Sequence, residues 1–162
     1  KMKMWKKRKR SEELKYRFSI LVDLSASMLE SDAAKLRESF KACVILSEVF
    51  NKFKIPFEII GFSTTFSNDI KIYKSFKDKL RNKRDDVSKI LTDAGGYTPT
   101  STVTKVSTER LLKSRIPEEN KIMITLTDGK PNRPPNVDDP VERRKTQEAI
   151  YEAEKKGINM IG

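Results

Sequence analysis

The stretch that decides the fold is Ser19–Met28, which reads SILVDLSASM. Its first four residues, with Phe18 before them, form a short apolar run rich in strand formers, a pattern typical of a strand covered on both faces. Asp23 follows where such a strand leaves the core, and Ser25 and Ser27 come at alternate positions after it. In a strand-like loop these three oxygens point to one side and can bind a hard cation together. The stretch therefore predicts a divalent-metal site at the end of a buried strand.

The same polar triplet has a plainer interpretation. Asp and Ser commonly cap helices or form turns, and a helix is predicted directly after this stretch, with Ser31 or Asp32 as its cap and its end near Lys52. Taken alone, the triplet leaves both interpretations open. A second carboxylate at an equivalent position would favour the metal site.

A later stretch repeats this design. Residues 121–126 read KIMITL, again an apolar run, and they are followed by Thr127, Asp128 and Gly129. Strands alternate with helices along the chain, which predicts an open, mostly parallel α/β sheet. Ligands bind such sheets at the carboxyl ends of strands, where the strand order reverses, so Asp23 and Asp128 are expected to face one cleft.

The remaining elements complete the predicted fold. The predicted strands cover residues 18–22, 55–62, 70–73, 121–126 and 158–162, and the predicted helices cover 31–52, 87–91, 101–113 and 140–157. A short connection makes the second and third strands an antiparallel pair at a sheet edge. The predicted class is a three-layer, Rossmann-like α/β open sheet, mostly parallel with one antiparallel edge strand and with helices on both faces. Because nothing in the sequence covers the last strand, we expect the domain to be truncated at its C-terminus.

Charge divides the chain into two parts. Residues 1–10 hold seven of the lysines and arginines and no acid, so removing them from the net charge of +11 leaves +4. We expect a basic arm or linker at residues 1–14 and one domain at residues 15–162. A basic run can bind nucleic acid, although a solvated arm is the commoner role. No apolar segment follows the arm, so the sequence predicts no signal peptide, no membrane contact and a cytoplasmic location.

The residue types that are absent exclude several kinds of site. The sequence has no histidine and one cysteine, Cys43, which lies on the apolar face of the first predicted helix. A Ser-His-Asp or Cys-His nucleophile cannot be assembled, and a zinc site of the usual nitrogen and sulfur ligands is excluded. A metal bound here must accept oxygen ligands, which favours Mg²⁺, Mn²⁺ or Ca²⁺.

Three separated motifs carry a resemblance to a known family. They are DLSAS at residues 23–27, GYTPT at residues 96–100 and TDG at residues 127–129. In this order they resemble the metal-ion-dependent adhesion site (MIDAS) of von Willebrand factor A domains, and the resemblance spans nearly the whole chain. It implies that the metal ligands are Asp23, Ser25, Ser27, Thr98 and Asp128. The tyrosine between glycine and threonine departs from the shorter form of the second loop, which leaves Thr100 as an alternative to Thr98.

A narrower resemblance concerns residues 55–64 and 127–132. They are similar to an intracellular branch that contains cobaltochelatase subunits and nitric-oxide-reductase activation proteins, whose partners are AAA+ ATPases. The resemblance implies a protein-interaction module in which the metal binds an acidic residue of a partner.

Two other functions compete with this one. A chelatase complex would use the domain as a non-catalytic subunit, since the sequence has no Gly-rich loop for ATP. A Mg²⁺-dependent phosphatase with Asp23 as nucleophile would need an acid-base group close by, commonly two residues on, where this chain has Ser25. The sequence therefore predicts a binding module rather than an enzyme.

Overall fold

The computed structural model describes residues 14–135 and 138–162, so the basic run at residues 1–10 lies outside the described residues. The strands are β1 (Tyr16–Asp23), β2 (Phe57–Phe62), β3 (Ile70–Lys74), β4 (Asn120–Leu126) and β5 (Ile158–Ile161). The α-helices are α1 (Glu30–Lys52), α2 (Arg84–Ser88), α3 (Thr100–Leu112) and α4 (Pro140–Lys155). Short 3₁₀ turns cover Ala26–Leu29, Ser67–Asp69, Leu80–Asn82 and Lys89–Leu91.

The five strands form one sheet in the order β3-β2-β1-β4-β5. All neighbouring strands are parallel except β2 and β3, which pair antiparallel at the edge. The predicted fold class is therefore confirmed. Strand β1 lies in the middle, and the chain leaves it toward β2 on one side and returns to β4 on the other. The strand order thus reverses between β1 and β4, so the carboxyl ends of these two strands border the crevice where such sheets bind ligands.

The sheet is covered on both faces because successive residues of its strands point to opposite sides. On one side Ile20 and Val22 of β1 pack with Leu36, Cys43 and other buried residues of α1. On the opposite side a second cluster joins Leu21 of β1 to buried residues of α3, α4 and β5, which include Val103, Leu111, Ala153 and Ile158. This double burial explains the almost continuous apolar run of β1.

The beginning of α1 differs from the prediction. Neither Ser31 nor Asp32 caps the helix, because both adopt a left-handed backbone with φ of 53° and 57°, as does Ala33. The cap position falls on Leu29, which belongs to the 3₁₀ turn Ala26–Leu29 and has a helical backbone, and Glu30 after it is extended, with φ of −61° and ψ of 157°. The chain is therefore kinked at residues 30–33, and the regular right-handed part of α1 begins after Ala33. Helix α4 has an ordinary cap, since Asp139 accepts hydrogen bonds from two backbone N–H groups of its first turn.

Three smaller features concern the start of β2, the cysteine and the helices. Strand β2 begins at Phe57 rather than at residue 55, since Pro56 before it has no N–H to donate. Cys43 is a free, buried thiol. Within the described residues, every helix is too short or too polar to cross a bilayer.

Gly61 of β2 gives a test of the packing between β2 and β3. A Cβ added at Gly61 would lie 2.6 Å from Cε2 of Tyr73 and 2.7 Å from Cδ1 of Leu24, and both side chains are buried. The Tyr73 hydroxyl is held by Asp93, so its ring cannot retreat freely. We expect Gly61→Ala to lower the free energy of unfolding by about 2 kcal/mol or more, measured by urea denaturation.

Gly95→Ala is the matched control for Gly61→Ala. A Cβ at Gly95 would meet its nearest neighbour, a methyl group of Thr65, at 3.4 Å. We expect this control to change the free energy of unfolding by less than about 1 kcal/mol. Equal losses in the two variants would contradict the packing argument.

Candidate metal site

Three loops meet at the carboxyl edge of the sheet. The first follows β1 and begins with Asp23, which is fully buried. The second precedes α3, and two backbone hydrogen bonds tie it to the first: Ala26 N–H donates to Gly96 O at 2.9 Å, and Gly95 N–H donates to Leu24 O at 2.7 Å. The third follows β4. Backbone pairing therefore fixes the first two loops against each other before any side chain is considered.

The polar side chains of the first and third loops form one chain of hydrogen bonds. Asp23 accepts from the Ser25 backbone N–H at 2.8 Å through Oδ1 and from Thr127 Oγ1 at 2.6 Å through Oδ2. The hydroxyls of Ser25 and Ser27 lie 3.0 Å apart, and Ser27 donates to Asp128 Oδ1 at 3.1 Å. The two carboxylates thus lie at either end of a compact cluster of hydroxyls.

Thr98 of the second loop completes the cluster. Its backbone exchanges hydrogen bonds with Asn132 of the third loop, both at 3.0 Å. A Cβ added at Gly129 would lie 3.6 Å from each of three side-chain oxygens: Asp23 Oδ2, Ser27 Oγ and Thr98 Oγ1. Oxygens from the first two loops therefore point at the space beside Gly129 of the third loop, and Asp128 of that loop joins them through its hydrogen bond with Ser27. The structure brings the five predicted ligands together, and it favours Thr98 over Thr100, whose hydroxyl faces the Thr98 carbonyl instead.

The first loop reaches this arrangement by a different backbone from the one expected. Ser25 is extended, but Ser27 lies within the 3₁₀ turn Ala26–Leu29 rather than in a strand-like segment. The turn still places the Ser27 hydroxyl beside that of Ser25. The prediction of a shared direction was right, and its stated cause, strand-like alternation, was wrong.

The electrostatics of the site depend on burial and on one cation. Burial raises the pKa of Asp23, the hydrogen bonds from Thr127 and Ser25 lower it, and the nearby charge of Asp128 raises it. The Lys35 ammonium of α1 lies 2.5 Å from Asp128 Oδ2. Sequence analysis missed Lys35, because no motif links it to a carboxylate 93 positions away.

A second network anchors the third loop. Arg133 forms ion pairs with Asp69 and with Glu142 of α4, the latter at 3.1 Å. Glu142 is buried, and its other oxygen accepts from the Ser101 backbone N–H at 3.0 Å. The loop that carries Asp128 is therefore tied to α3 and α4. None of these contacts was predicted, since each joins segments that are distant in sequence.

The donor set suits a hard cation. It contains two carboxylates and three hydroxyls. The described residues contain no group of three or more His, Cys, Asp or Glu side chains that could hold a metal, so this set differs from such a group by its hydroxyls. Oxygen ligands of this kind fit Mg²⁺, Mn²⁺ or Ca²⁺.

An open α/β sheet with an oxygen-rich cluster at its switch point places the chain in the class of Rossmann-like α/β domains. The sequence profile described as von Willebrand factor type A domain matches residues 19–162. The chain therefore belongs to the von Willebrand factor type A domain family, whose members serve as protein-interaction modules. No curated protein sequence matches the chain.

Solved structures show the same fold at low sequence identity. Proximal thread matrix protein 1 from the mussel byssus has a TM-score of 0.66 and 21% identity over 92% of this chain and 37% of its own. The SpRpn10 VWA domain has a TM-score of 0.62 and 9% identity over 91% of this chain and 73% of its own. The pilus adhesin SpaC from Lactobacillus rhamnosus GG has a TM-score of 0.63 and 16% identity over 93% of this chain.

The present chain matches only a part of two of these proteins. It spans 37% of the mussel protein and 24% of the adhesin, so it corresponds to one part of each. A further structure of the mussel protein, with a TM-score of 0.63 and 20% identity, contains a zinc-occupied MIDAS motif.

Proposed function

We propose that this domain binds a divalent cation and uses it to hold an acidic residue of a partner protein. The proposed ligands are Asp23, Ser25, Ser27, Thr98 and Asp128. The observation that carries the proposal is the convergence of side-chain oxygens of Asp23, Ser27 and Thr98 on the space beside Gly129, with Ser25 and Asp128 hydrogen-bonded to Ser27.

The composition of the donor set explains why such a site would bind a partner. Three of the five ligands are neutral hydroxyls, so they complete the coordination of a cation without cancelling its charge. The bound cation would supply the positive charge that attracts a carboxylate from another protein. We favour Mg²⁺, with Mn²⁺ and Ca²⁺ as alternatives; the zinc-occupied motif of the mussel protein supports metal binding in this fold without selecting the ion.

Metal binding and partner capture are tested separately. Titration of the whole chain with MnCl₂ or MgCl₂ in a calorimeter should show one site. Immobilised protein should then retain a partner from an extract with Mg²⁺ and release it with EDTA. No heat of binding at millimolar metal would overturn the metal site. Metal binding with capture that ignores EDTA would overturn its role in recognition.

Thr98 and Thr100 provide a matched pair for the second loop. Thr98 Oγ1 faces the space beside Gly129, whereas Thr100 Oγ1 faces the backbone. We expect the nearly isosteric change Thr98→Val to weaken Mn²⁺ binding at least tenfold, because it removes one ligand, and Thr100→Val to change it less than about twofold. Calorimetric titration measures both. Equal effects, or the larger effect at Thr100, would contradict the assignment.

Lys35 should oppose the metal. Its ammonium contacts Asp128 Oδ2, so a cation that binds Asp128 must compete with it for that oxygen. We expect Lys35→Met to strengthen Mn²⁺ binding several-fold, with a smaller dependence of affinity on salt. The control is Lys41→Met, which removes an exposed partner of Glu38 on the same helix. Weaker Mn²⁺ binding in Lys35→Met would contradict the competition.

The setting of the module forms a narrower part of the proposal. We propose that the partner belongs to an assembly with an AAA+ ATPase, and that the domain is then a non-catalytic subunit, as in a metal chelatase. The support is the resemblance of residues 55–64 and 127–132 to that branch. Mg²⁺-dependent co-purification with an AAA+ ATPase encoded beside this protein would support it, and the absence of such a neighbouring gene would count against it.

A further inference from the structure

The end of the sheet opposite the metal site carries two adjoining basic clefts. Here β1 begins at Tyr16, β3 ends at Lys74, and α1 and α3 reach their C-termini. The first cleft has a volume of about 440 Å³ and the second of about 560 Å³. Phe76 lines both clefts, so they form one continuous surface, which we name the basic surface.

The charge of this surface is almost entirely positive. Nine of the lining residues are lysine or arginine, and one, Asp78, is acidic. The cations are Arg17, Lys54, Lys74, Lys77, Lys79, Arg81, Arg84, Arg110 and Lys113. A third cleft on the chain is mixed by contrast, since Lys105 and Lys156 share it with Glu109, Glu148 and Glu152. The uniform sign is therefore a property of this place rather than of the whole surface.

Most of these cations have no carboxylate partner. Arg17, Arg84 and Arg110 form ion pairs, and the buried Lys74 donates to two backbone carbonyls. The other five lie outside any ion pair within the described residues: Lys54, Lys77, Lys79, Arg81 and Lys113. All five are exposed. Their charges are available to a ligand.

The nearby helix ends do not neutralise the surface. The C-terminus of a helix carries about half a negative charge, so α1 and α3 together contribute about one. Five unpaired cations exceed that contribution several-fold. Clustered cations of this number attract a polyanion, because binding releases the counterions that surround it.

The aromatic residues at this end indicate which polyanion fits. Phe53 is 66% exposed and lines a neighbouring cleft that shares Lys54 with the first cleft. Phe76, which is partly exposed, lies between the two clefts with the Arg17 guanidinium 4.3 Å from its ring centre. Exposed aromatic rings beside lysines and arginines bind single strands by stacking on bases while the cations contact phosphates. We infer that the basic surface binds single-stranded nucleic acid, independently of the metal site and of the partner proposed for it.

The test is fluorescence anisotropy with the whole chain and a labelled 20-nucleotide oligouridylate over a range of KCl concentrations. The variant combines Lys77→Gln, Lys79→Gln, Arg81→Gln and Lys113→Gln, none of which removes an ion pair of the described structure. We expect its affinity to fall at least tenfold at about 100 mM salt. The slope of log affinity against log salt should decrease by about 2 to 3, since each lost phosphate contact removes about 0.7. EDTA should have no effect.

The control is a variant of equal charge change. It combines Lys105→Gln, Lys145→Gln, Lys155→Gln and Lys156→Gln, all at exposed positions of α3 and α4 or just after α4. Equal losses in the two variants would overturn the inference, because binding would then follow net charge alone or the basic residues 1–10. Absence of oligonucleotide binding, with capture of phosphatidylserine vesicles that only the first variant loses, would assign the surface to membranes and also overturn it.

Discussion

Replacing Asp23 with alanine should abolish binding of Mn²⁺ to this domain, with an affinity loss of at least a hundredfold. Asp23 is fully buried, and its Oδ2 is one of the three oxygens nearest the space beside Gly129. Without it, the one carboxylate left in the cluster is that of Asp128, which the Lys35 ammonium already contacts. Calorimetric titration with MnCl₂ measures the loss.

The fold should survive this substitution. Removing the carboxylate leaves the Ser25 N–H and the Thr127 hydroxyl without their acceptor, which costs about 1–3 kcal/mol each when such groups stay buried. It also removes a group whose burial is unfavourable, as its raised pKa shows. These effects oppose each other, so we expect the free energy of unfolding to change by less than about 2 kcal/mol.

Asp93→Ala is the control for Asp23→Ala. Asp93 is partly buried, and it accepts hydrogen bonds from Lys71 and Tyr73 rather than from the loops of the site. Its removal should leave Mn²⁺ affinity unchanged. If Asp23→Ala bound Mn²⁺ within about threefold of the unaltered protein, the oxygens beside Gly129 would not be a metal site.

The sequence alone was sufficient to predict that the candidate ligands lie close together, and the reason can be identified. Asp23 and Asp128 each follow an apolar run, and parallel strands deliver their carboxyl ends to one edge of the sheet. Lys35 could not be predicted in the same way, since its contact with Asp128 depends on where α1 crosses the site. Whether the five residues ligate a metal stays a prediction, which the Mn²⁺ titrations test.

The same distinction applies to the fold. Apolar periodicity located all five strands, and the short link between β2 and β3 predicted the antiparallel edge correctly. The left-handed backbone at Ser31 could not be predicted from the neighbouring sequence, because a serine before a helical pattern resembles an ordinary helix cap. The pairing of Glu58 with Arg110 was equally hidden. It depends on the position of β2 relative to α3, 52 residues away.

Arg110→Met should lower the free energy of unfolding by about 3 kcal/mol at pH 7, a larger loss than the one expected for Asp23→Ala. Glu58 is fully buried in β2, and it accepts from Arg110 Nε at 2.7 Å and from Ser19 Oγ at 2.9 Å. Breaking a buried ion pair by removing one partner leaves a charge without compensation, which costs about 3–5 kcal/mol. Urea denaturation followed by circular dichroism measures the change.

The loss should depend on pH with a defined sign. Burial raises the pKa of Glu58, and the charge of Arg110 is the first of the influences that lower it, so the substitution raises the pKa further. The folded variant then binds a proton more tightly than the unfolded chain, in which the pKa of Glu is about 4.3. Its stability therefore falls as pH rises from about 4.3 through the folded pKa. The difference between the variant and the unaltered protein should shrink as pH falls from about 7 toward about 5.

Two further variants separate the buried pair from ordinary surface pairing. Arg84→Met removes a pair with Glu48 in which both side chains are largely exposed, so it should cost less than about 0.5 kcal/mol. The double variant Glu58→Gln with Arg110→Met removes both charges and keeps an acceptor for Ser19, so it should recover at least half of the loss. If Arg110→Met cost no more than Arg84→Met, or if the double variant recovered nothing, the loss would not come from an uncompensated Glu58 charge. Neutralising Glu58 by substitution or by protonation should have the same effect on stability. If the double variant recovers stability, and Arg110→Met alone recovers it at low pH, the uncompensated charge of Glu58 is therefore the cause of the loss.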